Sequence, residues 1–185
     1  MSAKVLKTIQ MDLSAKSIQN AIREVEKFRK DLQNMCQELA RRLTAEGAEI
    51  ARMQVVSMDA WFKGELEASI QGVYFAEEHC GVIYTDCPHA LFVEFGTGIV
   101  GESGPQHPWN SEYEWEHDTN GHGINGWWYP APWGWWVPKK GKHAGETMAW
   151  TDGMVSRPFM YNTMVWIREA AEREGIRMFR DYARG

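Results

Sequence analysis

The chain has 185 residues, a net charge of −5 and a hydrophobic fraction of 44%, values typical of a globular protein of one domain or of one domain with a large insertion. The acidic balance argues against a general polyanion binder and leaves a local basic patch open. No apolar run approaches the roughly 20 residues that span a bilayer, and the first residues lack a signal-peptide pattern, which predicts a protein made in a cytoplasm.

The clearest predicted element is a long helix that follows a short predicted strand over residues 4–10 and begins at Ser14 or Ser17. Either serine hydroxyl can accept a hydrogen bond from the first free amides of the helix. The helix carries one apolar stripe, interrupted only at Arg29, whose members are Ile18, Ile22, Val25, Leu32, Cys36, Leu39 and Leu43. Such a stripe favours a core face over a free coiled coil. Gly47 predicts a bend or interruption before the helical pattern resumes.

Two further strands are predicted over residues 65–75, "ELEASIQGVYF", and residues 79–86, "HCGVIYTD", because both segments are rich in Ile, Val and Tyr. Near the end of the chain, "TMAWT" (residues 147–151) predicts another strand. A final helix follows, with Ser156 as its predicted cap and Pro158 in its first turn, where the missing amide costs nothing.

Three glycines, Gly96, Gly98 and Gly101, spell G-x-G-x-x-G after an apolar run, and Glu116 follows Gly96 by 20 residues, as in a dinucleotide-binding site. Such a site needs a strand, a glycine turn and then a helix. Here the apolar run predicts a short helix that ends at Gly96, and two prolines soon after Gly101 exclude a long following helix. The glycines therefore indicate a helix exit rather than a nucleotide site.

Residues 99–150 form a predicted irregular insertion that is dense in Gly, Pro, Asn and Trp. Eight of the ten tryptophans of the chain lie in it. Tryptophan brings a large contact area at a low cost in conformational entropy, so the insertion predicts contact with a neighbouring subunit or partner. The candidate interface residues are Trp109, Trp115, Trp127, Trp128, Trp133, Trp135 and Trp136.

Carbohydrate chemistry and metal binding have weaker support from the sequence than an interface role for the insertion. The acidic run Glu112, Glu114, Glu116 and Asp118 lies among aromatic residues, a composition shared with glycosidases and sugar-binding surfaces. Metal binding by His117, Asp118 and His122 lacks any accompanying pattern. The thiols of Cys36, Cys80 and Cys87 are expected to be free, because the spacing of the last two fits no usual zinc knuckle even with His79 and His89 beside them. No catalytic, cofactor-binding or metal-binding residue is predicted.

The predicted fold is α+β: an antiparallel sheet of about four strands, packed by a long N-terminal helix and a C-terminal helix, with residues 1–185 as a single domain that contains the insertion.

Two short motifs support a resemblance that covers most of the chain outside the insertion. Val93-Glu94-Phe95-Gly96-Thr97 follows the two predicted strands, and Pro158-Phe159-Met160 opens the last helix. In order and spacing, the chain resembles the minor tail-component family of long-tailed bacteriophages, the tail-completion or tail-terminator-like proteins of the head–tail neck. The Trp-rich insertion is far longer than the segment usual there.

The resemblance implies a structural virion protein without enzyme activity or cofactor. It would form a ring with copies of itself, hexameric in expectation, complete the tail, and join the tail tube to the head connector during virus assembly. DNA would pass through the lumen without specific binding, and no membrane would be involved. Two alternatives stay open: a carbohydrate-binding module or glycan hydrolase that uses the Trp/Glu-rich loop, and another neck or head-closure protein.

Overall fold

The computed structural model describes residues 9–60, 64–109, 112–117 and 126–184. The chain divides into two compact units. The first, here called the helical unit, comprises Met1–Ile50, Gln71–Tyr84 and Met164–Gly185. The second, here called the motif unit, comprises Ala51–Ile70 and Thr85–Thr163. In the described ranges, no helix is both long enough and apolar enough to cross a membrane.

Helix α1 spans Ala15–Ser57 and begins as the sequence predicts. The Ser14 hydroxyl accepts a hydrogen bond from the Ser17 amide at 3.2 Å, which satisfies one of the free donors of the first turn. Asp12 reinforces this start, because its carboxylate accepts from the Ser14 amide and its own amide donates to the Ser17 hydroxyl. The hydrogen bonds from Ser14 hold the pKa of Asp12 below its ordinary value.

The predicted interruption at Gly47 is wrong, because α1 is continuous through this residue. A Cβ added at Gly47 would lie 2.5 Å from Cδ1 of Ile83 and 2.9 Å from Cδ1 of Ile167. The glycine therefore gives space to two core side chains, and this packing outweighs its low helix propensity.

Strands β1 (Gln71–Phe75) and β2 (Cys80–Tyr84) form an antiparallel hairpin in which Val73 pairs with Val82. The hairpin packs closely on α1, since a Cβ at Gly72 would lie 2.7 Å from the Thr44 carbonyl oxygen. The prediction of strands here is confirmed for residues 71–75 and 80–84. It is wrong for residues 65–69, which form the short helix α2 (Glu65–Ser69) with Leu66 buried in the motif unit.

Helix α5, Phe159–Arg184, packs in the helical unit against α1 in the opposite direction. A Cβ on Gly175 would lie 3.7 Å from the Leu39 side chain, and the Tyr182 hydroxyl donates to Asp31 at 3.0 Å. An Arg42–Glu174 ion pair at 2.8 Å adds a charged contact. The hydrogen bond from the Arg42 guanidinium, supported by neighbouring arginines, holds the pKa of Glu174 below its ordinary value.

The apolar stripe of α1 divides into two parts. Leu43 is buried at 7% exposure, as a core face requires, but Ile22 and Val25 are 52% and 54% exposed. The prediction of one continuous core face is therefore wrong for the first turns of α1. The physical reason is where α5 ends. Near its end, α5 contacts α1 through Tyr182, which meets Phe28 and Asp31, and both of these residues follow Ile22 and Val25 in the chain.

The motif unit contains the remaining elements: α3 (Ala90–Phe95), α4 (Gly98–Ser103), β3 (Trp127–Pro130) and β4 (Met148–Thr151). Strands β3 and β4 pair with each other in antiparallel register, with Trp128 opposite Trp150. The described residues thus hold two two-stranded sheets in place of the predicted sheet of about four strands. The strand predicted over residues 4–10 falls almost wholly outside the described ranges.

Candidate functional site

The two motifs that were far apart in the sequence meet in the motif unit. Helix α3 ends at Gly96, and the next residue forms an antiparallel bridge in which Thr97 and Met154 exchange two backbone hydrogen bonds at 2.9 and 3.0 Å. The Arg157 amide donates to the Val93 carbonyl at 2.9 Å. The segment before α5 therefore runs along the first motif and delivers Pro158 and Phe159 beside it.

The Glu94 carboxylate joins the motifs by capping α5. Its Oε2 accepts from the Met160 amide and its Oε1 from the Tyr161 amide, each at 2.9 Å. These amides belong to the first turn of α5 and have no partner within the helix. A carboxylate also interacts favourably with the positive end of the helix macrodipole. Glu94 thus performs, from 66 residues away, the role predicted for Ser156.

The prediction that Ser156 caps α5 is wrong, because its hydroxyl donates to the Glu94 carbonyl oxygen at 2.6 Å. Helix α5 begins at Phe159, directly after Pro158, and the first helical hydrogen bond runs from the Asn162 amide to the Pro158 carbonyl. Ser156 therefore fixes the main chain of the residue whose side chain makes the cap.

His107 completes the arrangement around Glu94. Its Nε2 donates to Glu94 Oε1 at 2.9 Å, and its Nδ1 accepts from the Trp109 amide at 3.1 Å, which sets the tautomer. The side chains of His107 and Glu94 are only 1% and 8% exposed. A carboxylate buried this deeply is stable only with such partners. Together, Glu94, His107 and the start of α5 are called the Glu94 lock below.

Gly96 acts as the sequence predicts, whereas Gly98 and Gly101 lie inside α4, a helix in the stretch that was predicted to be irregular from residue 99. Gly96 ends α3 with φ 84° and ψ 167°, a conformation open almost only to glycine. A Cβ there would also lie 2.8 Å from the Ser156 backbone nitrogen. Gly98 has φ 61° and lies against the Asp152 carbonyl. The helix that follows ends at Ser103, so the glycines serve a tight crossing of main chains.

The candidate interface tryptophans separate into two groups. The first group, Trp109 and Trp115, packs on α3 and the start of α5. The Trp115 ring stacks on Phe95 with centroids 5.1 Å apart, and its Nε1 donates to the Gly96 carbonyl at 2.9 Å. The Trp109 ring meets Tyr161 edge to face at 5.2 Å. Both tryptophans are half-buried, so they belong to the packing of the motif unit.

The second group surrounds Trp128 on the β3–β4 hairpin. The Trp128 ring lies 4.7 Å from the Trp135 ring, 4.9 Å from Trp136 and 5.4 Å from Trp150, with edge-to-face or tilted geometry. Trp135 is 75% exposed, while Trp136 and Trp150 are each 42% exposed. These four residues are called the tryptophan patch. Trp133, 60% exposed, lies close by in the sequence, and Trp127 is half-buried on β3 with its ring near Gly98.

The chemical alternatives can be located only in part. Glu112, Glu114 and Glu116 are exposed, while Asp118 and His122 lie outside the described residues. Among the residues that the structure places, no three His, Cys, Asp or Glu side chains come together as metal ligands would. Cys36, Cys80 and Cys87 are free thiols, as predicted. His107 is not predicted as a functional residue by the sequence, where its only signal is its position just before the first tryptophan of the insertion.

Comparison with protein-family models, with curated proteins and with solved structures finds no match to this chain. The functional conclusion therefore rests on the two motifs, the Glu94 lock and the exposed surfaces.

Proposed function

We propose that the protein is a structural component of the head–tail neck of a long-tailed bacteriophage. It would assemble with copies of itself into a ring that completes the tail and joins the tail tube to the head connector. In this proposal it is made in the bacterial cytoplasm, ends in the virion, has no catalytic role and uses no cofactor.

The observation that carries the proposal is the contact between the two motifs on which the resemblance rests. Glu94 of the first motif caps the helix that Pro158 and Phe159 of the second motif open, and Phe159 is buried at 1% exposure. The two motifs therefore belong to one packed structural unit, as the resemblance implies.

The burial of Glu94 and His107 supports a non-enzymatic role for these two residues. A second carboxylate–imidazole pair of the described residues, Glu146–His143 at 3.0 Å, is exposed. Glu94 and His107, 2.9 Å apart, are both buried and engaged in fixing the fold. A general acid or base has to reach its substrate, and this pair is closed to one. The exposed carboxylates of Glu112, Glu114 and Glu116 form no ion pair within the described part of the chain.

Exposed apolar surface supports assembly. The first turns of α1 present Ile22 and Val25 to solvent, and the motif unit presents Trp135. Contiguous exposed apolar side chains of this size mark interaction sites in soluble proteins. A ring whose protomers bury such surfaces needs only binding energy, and the net charge of −5 suits a lumen that does not hold DNA phosphates tightly.

The exposed indole rings favour one other function, carbohydrate binding. Trp133 and Trp135 are 60% and 75% exposed, and flat exposed rings can stack on sugar rings. The rings of the tryptophan patch, however, pack edge to face, so each such contact covers a ring face and leaves fewer free faces for a glycan.

The proposal is tested with purified tail tubes of a long-tailed bacteriophage. Purified protein is mixed with the tubes and followed by co-sedimentation and negative-stain microscopy. We expect a ring at one end of the tube and no binding along its length. Protein that ignores the tubes but is retained on a polysaccharide column would establish the carbohydrate alternative.

The matched control for this experiment is a fold variant rather than a deletion. Removing the insertion would also remove His107, so the loss of the Glu94 lock would be mistaken for the loss of an interface. Glu94→Ala is expected to destabilise the fold and to weaken tube binding with it, whereas Trp133→Ala keeps the fold and separates glycan stacking from tube binding.

A further inference from the structure

We propose that the tryptophan patch and the lysines beside it bind the acidic segment 112–116 of a second copy of the chain. This inference names the partner surface inside the proposed ring and therefore rests on the proposed self-assembly.

The tryptophan patch has the exposure and the aromatic composition of the centre of a protein–protein interface. Trp135 and Val137 are 75% and 51% exposed, and the indoles of Trp136 and Trp150 extend the same apolar surface. The rings are held by contacts with Trp128 at 4.7–5.4 Å, so little side-chain entropy remains to be lost on binding. Tryptophans in this situation dominate binding energy in measured interfaces.

A basic turn borders this apolar centre. Lys139, Lys140 and Lys142 are all exposed, and none of them forms an ion pair with a residue that the structure describes. The turn is ordered by backbone hydrogen bonds, among them Gly145 to the Pro138 carbonyl at 3.0 Å. Two acids lie between residues 127 and 152, and both already have partners. Glu146 contacts His143 Nδ1 at 3.0 Å, and Asp152 Oδ1 accepts from Trp150 Nε1 at 3.1 Å. The border therefore favours an acidic partner.

The acidic segment of the same chain supplies the complementary composition. Glu112, Glu114 and Glu116 are exposed, and Tyr113 between them is 55% exposed. The half-buried Trp115 anchors the segment through its hydrogen bond to Gly96. The anchored segment thus carries three carboxylates and the exposed ring of Tyr113. These groups complement the three lysine ammonium groups of the basic turn and the indole rings of the tryptophan patch.

A second copy is the occupant that this complementarity favours. Both surfaces belong to the motif unit, and neither side forms an ion pair within the described residues, so the opposite charges stay available to another molecule. Because the two surfaces differ, each protomer can use one surface on each neighbour. Such a head-to-tail contact closes into a ring when the rotation between protomers permits.

The first experiment compares the wild-type chain with a basic-turn reversal, Lys139→Glu, Lys140→Glu and Lys142→Glu, by sedimentation velocity over a range of concentrations. We expect wild-type oligomers that weaken as salt rises, because the charged border is screened. The reversal should weaken association by about tenfold or more. Its control, Lys16→Glu, Lys27→Glu and Lys30→Glu, changes the net charge equally on the face of α1 opposite the apolar stripe and should leave association unchanged.

The second experiment is a charge-swap rescue. An acidic-segment reversal, Glu112→Lys, Glu114→Lys and Glu116→Lys, should also fail to associate alone. Mixed in equal amounts, the two reversals should recover oligomers, since each restores opposite charges across the contact. A single chain that carries both reversals should recover them as well, while Trp135→Ala should weaken association about tenfold without any change in its salt dependence.

Three results would overturn the inference. Wild-type protein that is monomeric throughout, or oligomers that both reversals leave unchanged, would exclude this contact, and the proposed neck function would still stand if the protein caps tail tubes. Binding to oligothymidylate or to phosphatidylglycerol vesicles that disappears in the basic-turn reversal, without a change in sedimentation, would assign the lysines to a phosphate-bearing partner instead.

Discussion

The two groups of tryptophans in the insertion show how one residue type serves two purposes. Trp115 stacks on Phe95 and donates to the Gly96 carbonyl, so its ring is part of the motif unit. Trp135 touches Trp128 and is 75% exposed, so most of its ring meets solvent. Both segments are rich in aromatic residues, and their neighbours differ.

The difference follows from what each segment lies against. His107, two residues before Trp109, is hydrogen-bonded to the buried Glu94. This anchor brings Trp109 and Trp115, called the inward group below, onto α3 and the start of α5. The tryptophan patch is called the outward group. The outward group follows β3, where a hairpin with only one partner strand offers little surface to pack against. A long aromatic segment can thus combine a part that completes the fold with a part that is available for binding.

The largest expected effect comes from removing the anchor of the inward group by Glu94→Ala. The change leaves the buried His107 Nε2 and the amides of Met160 and Tyr161 without their acceptor. We expect the free energy of unfolding to fall by about 3–5 kcal/mol. Urea denaturation measures it, with Glu112→Ala as the exposed control, expected within about 0.5 kcal/mol of wild type. Equal losses in both variants would mean that the lock does not stabilise the fold.

The next largest effect is expected at Gly96, where the main chain after α3 passes close to the main chain before α5. Gly96→Ala forces a side chain into a glycine conformation and places its Cβ 2.8 Å from the Ser156 nitrogen, so a loss of about 3 kcal/mol is expected. Gly141→Ala is the matched control, because Gly141 also has a positive φ, 96°, but no atom lies within 4 Å of an added Cβ. It should lose only about 1 kcal/mol. Similar losses would assign the cost to φ alone.

The parts of the fold that the sequence predicted are those that depend on local sequence patterns. The start of α1 at Ser14, the hairpin strands, β4 and the exit of α3 at Gly96 each depend on residues within a few positions. The cap of α5 does not, because Glu94 reaches it across 66 residues of chain. Ser156 is a residue type that local rules favour as a helix cap, but the tertiary contact from Glu94 caps α5 instead.

Burial was the least predictable property. A period of three and four residues shows that Ile22 and Leu43 share one face of α1, but it cannot show that Leu43 is buried while Ile22 is 52% exposed. The same limit applies to the tryptophans, since composition gave no means to separate Trp115 from Trp135. Both distinctions depend on which other elements reach the residue.

The third prediction concerns Trp115, a ring of the inward group, and its result is compared with that for Trp135 of the outward group. Trp115→Ala removes the stack on Phe95 and the hydrogen bond to Gly96, and we expect a loss of about 2–3 kcal/mol. Trp115→Phe keeps an aromatic ring and should lose about 1 kcal/mol, the worth of the hydrogen bond. Thermal unfolding of the three proteins at one concentration gives the ranking. A Phe variant as unstable as the Ala variant would show that the hydrogen bond, and not the stack, fixes the inward group.

The smallest expected effect on stability comes from the outward group. Trp135→Ala removes a ring that is already 75% exposed, so little apolar area returns to water and the free energy of unfolding should change by less than about 0.5 kcal/mol. The measurement needs dilute protein, because at higher concentration any lost association would lower the apparent stability through mass action. A concentration series separates the two contributions: the difference from wild type should vanish on dilution and grow as oligomers form. A deficit that persists at the lowest concentration would place Trp135 with Trp115, as a residue that the fold itself requires.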